Sequence, residues 1–262
     1  MNFTEKIKNQ IKELFEDTAL TVDHDTTFLY PGFDYYGHYK SFFTYMKTSG
    51  YAEYKTADFL KDKINEFGDL FTMDYKSAVN SDAKFKKLLD KRVYINDFDE
   101  QVANLKLKYC GNLFEALSII YFVAANPLNG FSFKEWTNGG DDDANGCDGT
   151  LVMNDNKNVV IPINAKHVTH LKLSKFAPYQ KLECWTKQQL VKNRANSDTV
   201  MTYLYLPFTG IIITDFIASD FTQEKFPQIK VINGNDLHKA LGNVSSANIT
   251  KNNIWTQVEK FL

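Results

Sequence analysis

Residues 146–166 constrain the fold more than any other stretch, because they join two short apolar segments through a polar turn. Residues 150–153 are apolar and partly β-branched, which favours a strand. Residues 154–158 contain only Asn, Asp and Lys, and Asn and Asp close turns with their own side chains. Residues 159–163 resume the apolar pattern, and Pro162 favours an edge or a bulge because proline cannot donate to a ladder. The sequence therefore predicts a β-hairpin.

Three polar residues lie at the open end of this hairpin. Asp148 precedes the first strand, and Asn164 and Lys166 end the second. Residues two apart on a strand share a face, so Asn164 and Lys166 point the same way. A hairpin returns that face to the neighbourhood of Asp148, and we expect the three side chains to lie together.

The pattern Gly-x-Asp, a turn, and an apolar strand ending in x-x-Lys resembles the PD-(D/E)xK nuclease superfamily, whose fold is called restriction-endonuclease-like. The resemblance implies that Asp148, Asn164 and Lys166 are catalytic. It also implies that Asp148 binds Mg²⁺, with Mn²⁺ as a substitute, and that Lys166 contacts or helps to activate the attacking water. Asn164 stands where the family usually has Asp or Glu. A neutral amide oxygen attracts a hard cation less than a carboxylate does, so activity is left open.

A long apolar segment lies before the hairpin. Residues 111–126 repeat apolar side chains at helical spacing, and Pro127 ends the pattern because it pushes the preceding residue out of the helical region. Glu115 is the one charged residue in this segment. In the family that the hairpin resembles, the helix at this place often supplies an acidic metal ligand, which implies Glu115 as a ligand beside Asp148 and Asn164. The alternative is a first-turn glutamate that interacts with the helix dipole.

The loop before the hairpin is rich in carboxylates and glycine. Asp141, Asp143 and Asn145 match the start of an EF-hand loop, but Val152 occupies the position of the required glutamate. The EF-hand interpretation is therefore rejected. The carboxylates either add to the metal site of the hairpin or belong to a solvated loop.

Basic and polar residues after the hairpin are candidates for contacts with DNA. His167 and His170 have the His-x-x-His spacing of zinc ligands, but neither a third ligand nor a cysteine lies near them in the sequence. We interpret them as polar residues that face DNA. Residues 179–194 are predicted to form a helix, on which Lys187, Lys192 and Arg194 are available for phosphates. The predicted DNA contacts are His167, His170, Lys172, Lys175, Lys187 and Arg194.

The order of the predicted elements from residue 111 onward resembles the α-β-β-β-α-β core of restriction-endonuclease-like proteins, over about residues 111–241. We therefore expect an α/β (α+β) fold with a mixed central sheet flanked by helices. The elements after the hairpin are a helix at 179–194, strands at 200–206 and 210–217, and a short closing strand, an Asn-Gly turn and a helix near Asp236.

The first part of the chain matches no motif. We expect residues 1–100 to form a mainly helical, aromatic-rich region that is a candidate for choosing the DNA site, and residues 101–262 to form the nuclease-like core. Helices are predicted at residues 2–16, 56–71 and 81–91. Aromatic rings crowd residues 28–54 with basic residues among them, and these rings either fill a core or form a surface that contacts substrate.

Composition limits the class of protein. The net charge of −2 gives no bulk attraction to nucleic acid, so a DNA enzyme would need a local basic face. The 3 cysteines lack metal-ligand spacing and fit a reduced, cytoplasmic protein. The first ten residues have no apolar signal region, and residues 116–125 are too short to span a bilayer. We expect a cytoplasmic protein with no membrane partner.

The function that these patterns favour is a metal-dependent DNA endonuclease that hydrolyses phosphodiester bonds in double-stranded DNA. Sequence-specific cleavage or nicking in restriction or phage–host conflict is the expected setting, and a homodimer is left open. A catalytically inactive nuclease fold that binds DNA or protein is the first alternative, which Asn164 supports. A protein that binds another class of ligand through residues 28–54 is the second.

Overall fold

The predicted hairpin forms the middle of a five-stranded sheet. The structure is a computed structural model that describes residues 30, 32–45, 57–90, 98–122, 128–136, 146–167, 177–214 and 226–237. The helices are α1 (Tyr35–Tyr45), α2 (Ala57–Ser81), α3 (Ala83–Asp90), α4 (Phe98–Ile120), α5 (Ala177–Lys192) and α6 (Ser197–Tyr205). The strands are β1 (Phe131–Trp136), β2 (Gly149–Met153), β3 (Val160–Lys166), β4 (Gly210–Thr214) and β5 (Ile229–Ile232).

The strands lie side by side in chain order. Strands β1, β2 and β3 form an antiparallel meander, whereas β4 and β5 continue the sheet in the same direction as β3. Two parallel neighbours need a crossover, and α5 and α6 lie in the connection from β3 to β4. The hairpin turn forms as its chemistry predicts, because the N–H of Asn158 donates to Oδ1 of Asn156 at 3.1 Å.

Helices cover both faces of the sheet. Side chains alternate along a strand, so Ile161 and Ile163 of β3 point to one face, and they join the main hydrophobic cluster with Phe114 of α4. On the other face, Leu182 of α5 packs in a second cluster with Ile212 of β4. The expected α/β fold with a mixed sheet flanked by helices is therefore confirmed at this level.

The N-terminal helices pack onto the same core through aromatic rings. Helix α2 packs along α4, and the rings of Phe71 and Tyr109 stack at 4.5 Å between centroids. Several rings from the predicted aromatic segment are buried core residues, which favours the core interpretation for Phe33, Tyr35, Tyr39 and Phe42. The main cluster thus includes residues on both sides of position 100, and the proposed division into two regions there stays a prediction.

Several predicted elements were wrong in extent or type. Residues 200–206 are not a strand, because α6 runs through them from an Asn196 cap whose side chain accepts from the N–H of Thr199. Helix α2 does not end near residue 71 but continues to Ser81, and α4 begins at Phe98, well before residue 111. Strand β1 had no counterpart among the predicted elements.

Other predictions agree with the structure or fall outside it. Helix α5 matches the helix predicted at 179–194. Strand β4 matches the strand predicted at 210–217, and β5 matches the short closing strand. The helix predicted at 2–16 lies outside the described residues. Within the described ranges, no helix combines the length and apolarity that a bilayer crossing requires.

Candidate active site

Asp148 is fixed against β3 by main-chain hydrogen bonds. Its N–H donates to the carbonyl of Ile163 at 2.8 Å, and its Oδ2 accepts from the N–H of Ala165 at 2.7 Å. The side chain is only 12% exposed. A carboxylate that accepts from a main-chain N–H has a defined orientation, so Asp148 is a pre-positioned anion at the open end of the hairpin.

Asn164 is buried completely beside Asp148. Its Nδ2 donates to the carbonyl oxygen of Gly146. A carbonyl can only accept, so the amino group of the amide must face Gly146 and the amide oxygen must point away from it. That oxygen, Oδ1, is buried, and no donor among the described residues reaches it.

An unsatisfied buried acceptor costs about 1–3 kcal/mol. Oδ1 of Asn164 is such an acceptor, and it lies next to the anchored carboxylate of Asp148. A buried amide oxygen of this kind could accept a hydrogen bond from a bound water or coordinate a hard cation.

Gly146 is suited to its place by backbone conformation and by space. Its φ of +70° lies in the left-handed region that side chains with a Cβ rarely adopt. A Cβ there would lie 2.8 Å from Cδ of Lys181 and 3.3 Å from Nδ2 of Asn164. The glycine therefore leaves space at the position of its absent Cβ, where the amide of Asn164 and the side chain of a lysine from α5 both approach.

Lys166 places a cation beside this group. Its Nζ lies 3.9 Å from Oδ2 of Asp148, and its side chain is 45% exposed. The separation is at the limit of an ion pair and solvent screens it, so the pair adds little to stability. Its significance is positional, because an ammonium stands next to the carboxylate and in contact with solvent.

Thr150 is a neighbour that the sequence analysis missed. It lies two residues after Asp148 and pairs with Pro162 in the ladder, so it faces the same side of the sheet as Asn164 and Lys166. Its Oγ1 is buried and, like Oδ1 of Asn164, has no hydrogen-bond partner in the described part of the chain. The only signal in the sequence was the two-residue spacing from Asp148.

Glu115 lies on the other side of the sheet. Helix α4 packs on the face that carries Ile161 and Ile163, opposite to the face of Asn164. Burial raises the pKa of Tyr39 above its ordinary value, against the hydrogen bond from Asn112, which lowers it. The charge of Glu115 raises this pKa further, which places Glu115 near that phenol.

The anionic part of the site is correspondingly small. In the described ranges, no three His, Cys, Asp or Glu side chains are grouped as they would be to hold a metal. The structure therefore brings Asp148 together with Asn164 and Lys166, and the role of Glu115 as a ligand stays a prediction. Asp141 and Asp143 lie outside the described residues.

The structure describes three of the six predicted DNA contacts. The imidazole of His167 is half-buried and lies 6.2 Å from the ring of Phe114, on the α4 side of the sheet. Lys187 on α5 and Arg194 just after it are exposed. His170, Lys172 and Lys175 lie outside the part of the chain that the structure describes.

Comparison of the chain with protein-family models, with curated proteins and with solved structures finds no match.

Proposed function

We propose that the protein is a Mg²⁺-dependent endonuclease that hydrolyses phosphodiester bonds in double-stranded DNA. One observation carries the proposal: Asp148, the unsatisfied oxygen of Asn164 and the ammonium of Lys166 lie together at the end of one hairpin. An anchored carboxylate, a buried amide oxygen and a solvent-facing cation suit a site for a hard cation and a phosphate.

The arrangement of the sheet supports the same proposal. A helix, an antiparallel meander of three strands, a crossover through helices and a parallel strand follow one another from α4 to β4. This is the order that the restriction-endonuclease-like resemblance implies. The motif residues lie on the middle strands of that order.

The donor set fits a hard divalent cation. Carboxylate and amide oxygens are ligands of Mg²⁺, and Thr150 adds a hydroxyl on the same face of the sheet as Asn164. When bound, Mg²⁺ would lower the pKa of a coordinated water and offset charge on the phosphate.

The protein side chains would then perform the following steps. Asp148 and Asn164 would hold the cation, and their hydrogen bonds with the main chain fix the orientation of both side chains. In the hydrolysis, a water oxygen would form a bond to phosphorus as the bond to the leaving oxygen breaks. The attacking water would release one proton to solvent, and the leaving oxygen would take up one proton from solvent. Lys166 stands beside the attacking water and stabilises the negative charge that develops on the phosphate.

A catalytically inactive module that binds DNA or protein is the second candidate, and a specific observation favours it. Lys166 already places a counter-charge near Asp148, so the charge of the carboxylate is partly balanced without a metal. Asp148 is also the only carboxylate that the described geometry assigns to the site. In this alternative the cluster is a structural remnant, and DNA binding, if present, is independent of metal.

The two candidates are separated by one cleavage assay. Full-length protein is incubated with a panel of plasmid and phage DNAs in Mg²⁺, in Mn²⁺ or in EDTA. We expect cleavage or nicking in Mg²⁺ or Mn²⁺ and none in EDTA.

Lys166→Ala should reduce the rate by more than about tenfold, which corresponds to about 1.4 kcal/mol of transition-state stabilisation. Lys157→Ala is the matched control, because Lys157 is an exposed lysine at the other end of the same hairpin. Cleavage that persists in EDTA, or equal rates for Lys166→Ala and the control, would refute the proposed mechanism. DNA binding without cleavage under every condition would favour the inactive module.

A further inference from the structure

A second lysine reaches the site from α5. The aliphatic stem of Lys181 lies over Gly146, because its Cδ and Cβ are 2.8 Å and 3.5 Å from the place where a Cβ of that glycine would stand. Lys181 is exposed, so its stem covers the backbone while its ammonium stays in solvent. It was not among the predicted site residues.

Gly146 links this lysine directly to the candidate site. The carbonyl of Gly146 accepts from Nδ2 of Asn164, and Asp148 follows two residues later. Lys181 and Lys166 therefore approach the same short segment from different elements, one from α5 and one from the end of β3. The two ammonium groups differ in their surroundings, because that of Lys166 is near the carboxylate of Asp148 and that of Lys181 is in solvent.

The charge of Lys181 is available for an anion. On the helical side of the protein, Lys76 and Lys106 are each paired with an aspartate, Asp99 and Asp69. Among the described residues, Lys181 has no ion pair or hydrogen bond of this kind. A solvent-exposed ammonium beside a site for phosphate is positioned to contact the backbone of a polyanion.

Helix α5 carries a second exposed lysine, Lys192, on the same line of its surface as Lys181, and we call the line of Lys181, Gln188 and Lys192 the stripe. Residues 7 and 11 positions later on a helix lie close to the same line along its surface, and here they are the exposed Gln188 and Lys192. Lys192 lies about 16 Å from Lys181 along the helix axis, at about 1.5 Å per residue. Lys187 points about 120° away from this line. The stripe therefore begins at the site and gives a nucleic-acid backbone a path away from it.

We propose that Lys181 contacts a phosphate of the DNA strand bound at the site, next to the phosphate that is cleaved, and that the stripe through Lys192 carries the backbone away from it. This inference rests on the proposed function. It adds a phosphate contact that fixes the position of the strand, which is distinct from the chemical step assigned to Lys166.

The test compares Lys181→Met with wild type and with Lys157→Met. Methionine keeps an unbranched apolar stem over Gly146 and removes only the charge, so the fold should be kept, which thermal unfolding checks. Lys181→Arg, which keeps the charge, is the second variant. Binding of a fluorescent duplex is measured in EDTA over a series of KCl concentrations, and cleavage is measured in Mg²⁺.

We expect Lys181→Met to weaken duplex binding about three- to tenfold, whatever the DNA sequence. It should also reduce the slope of log K against log salt by about 1, which is the loss of one phosphate contact. KM should rise more than kcat falls, and Lys181→Arg should restore most of the affinity. The Lys157→Met control should leave all these quantities unchanged.

The outcomes separate this inference from the function on which it rests. If wild type cleaves DNA but Lys181→Met and the control have the same affinity and salt slope, the role of Lys181 is refuted and the nuclease proposal stands. If Lys181→Met lowers kcat alone, Lys181 is not a binding contact. If wild type neither binds nor cleaves DNA, both proposals fall.

Discussion

Replacing Asn164 by Asp tests the site at the residue that departs from the nuclease motif. By the motif alone, Asp would be an improvement, because it restores a charged ligand. The structure predicts a cost as well. Nδ2 of Asn164 donates to the carbonyl of Gly146, and an aspartate would put a carboxylate oxygen against that acceptor in a position with no exposure to solvent.

The size of the cost follows from two losses. The carbonyl of Gly146 loses its donor, which costs about 1–3 kcal/mol, and a buried charge without a close partner costs several more in the absence of relief. Lys166, two residues along the same face, offsets part of this. We expect a loss of about 3 kcal/mol in the free energy of unfolding at pH 8 in EDTA, or about 6 to 12 °C in Tm for a chain of this size.

The stability lost by Asn164→Asp should depend on pH and should grow as the pH rises. Burial and the facing carbonyl raise the pKa of an Asp at position 164 above its ordinary value near 4. Between the unfolded and folded pKa values, the folded variant binds more protons than the unfolded chain, so its stability falls as the pH rises. The deficit should be small at pH 4, where a protonated carboxyl can donate to Gly146, and should reach its limit above the raised pKa.

Added Mg²⁺ should reduce the difference in the free energy of unfolding between wild type and Asn164→Asp at pH 8. A cation that binds only the folded variant stabilises it by RT ln(1 + [Mg²⁺]/Kd), about 1.4 kcal/mol at ten times Kd. Thermal unfolding of wild type, Asn164→Asp and the exposed turn control Asn158→Asp, at several pH values with and without Mg²⁺, provides the measurement. A variant as stable as wild type in EDTA at pH 8, or a deficit that does not change with pH, would refute the proposed contact. A deficit that Mg²⁺ leaves unchanged would remove Asn164 from the metal site.

Three further substitutions test neighbouring parts of the site. Asp148→Asn should abolish Mg²⁺ binding in calorimetry, while Asp155→Asn in the exposed turn should not, and equal affinity in both would remove the assigned anion. Gly146→Ala should lower the free energy of unfolding by about 2 kcal/mol, because a φ of +70° costs a non-glycine residue about 1–2 kcal/mol and the new Cβ meets Lys181. Denaturant unfolding measures this loss, and a change below about 0.5 kcal/mol would contradict the prediction. Glu115→Gln should weaken Mg²⁺ binding if Glu115 supplies the second carboxylate, whereas unchanged calorimetric affinity would leave Glu115 as a neighbour of Tyr39 alone.

The hairpin could be predicted because its signals are local. Turn chemistry, strand composition and the two-residue period are enough to place Asn164 and Lys166 on one face and to bring them back to Asp148. These contacts depend on the register of two adjacent strands, and the length of the turn fixes that register.

Residues 197–205 could not be assigned from the sequence, because their composition suits a strand and their state depends on distant partners. The hydroxyl of Tyr203 accepts from the N–H of Val160 at 2.8 Å and donates to its carbonyl at 2.6 Å. A helix places Tyr203 and Thr199, four residues apart, on the buried side. The contact of Lys181 with Gly146 has the same origin, since nothing local connects residues so far apart in the chain.

The neutral residue at position 164 also predicts how metal and DNA should bind together. With Asn there, the assigned site carries one carboxylate and one ammonium, so it is balanced without a cation and is expected to hold Mg²⁺ weakly. A phosphate group of DNA brings the missing negative charge, so DNA should raise the affinity for Mg²⁺. Linkage then requires that Mg²⁺ raise the affinity for DNA by the same factor. Calorimetric titration of Mg²⁺ into wild type, with and without a short duplex whose linkages resist hydrolysis, gives one factor. Binding of the same duplex with and without Mg²⁺ gives the other. Equal factors well above 1 are expected for the nuclease, and a factor of 1 in both titrations would show that metal and DNA do not share a site.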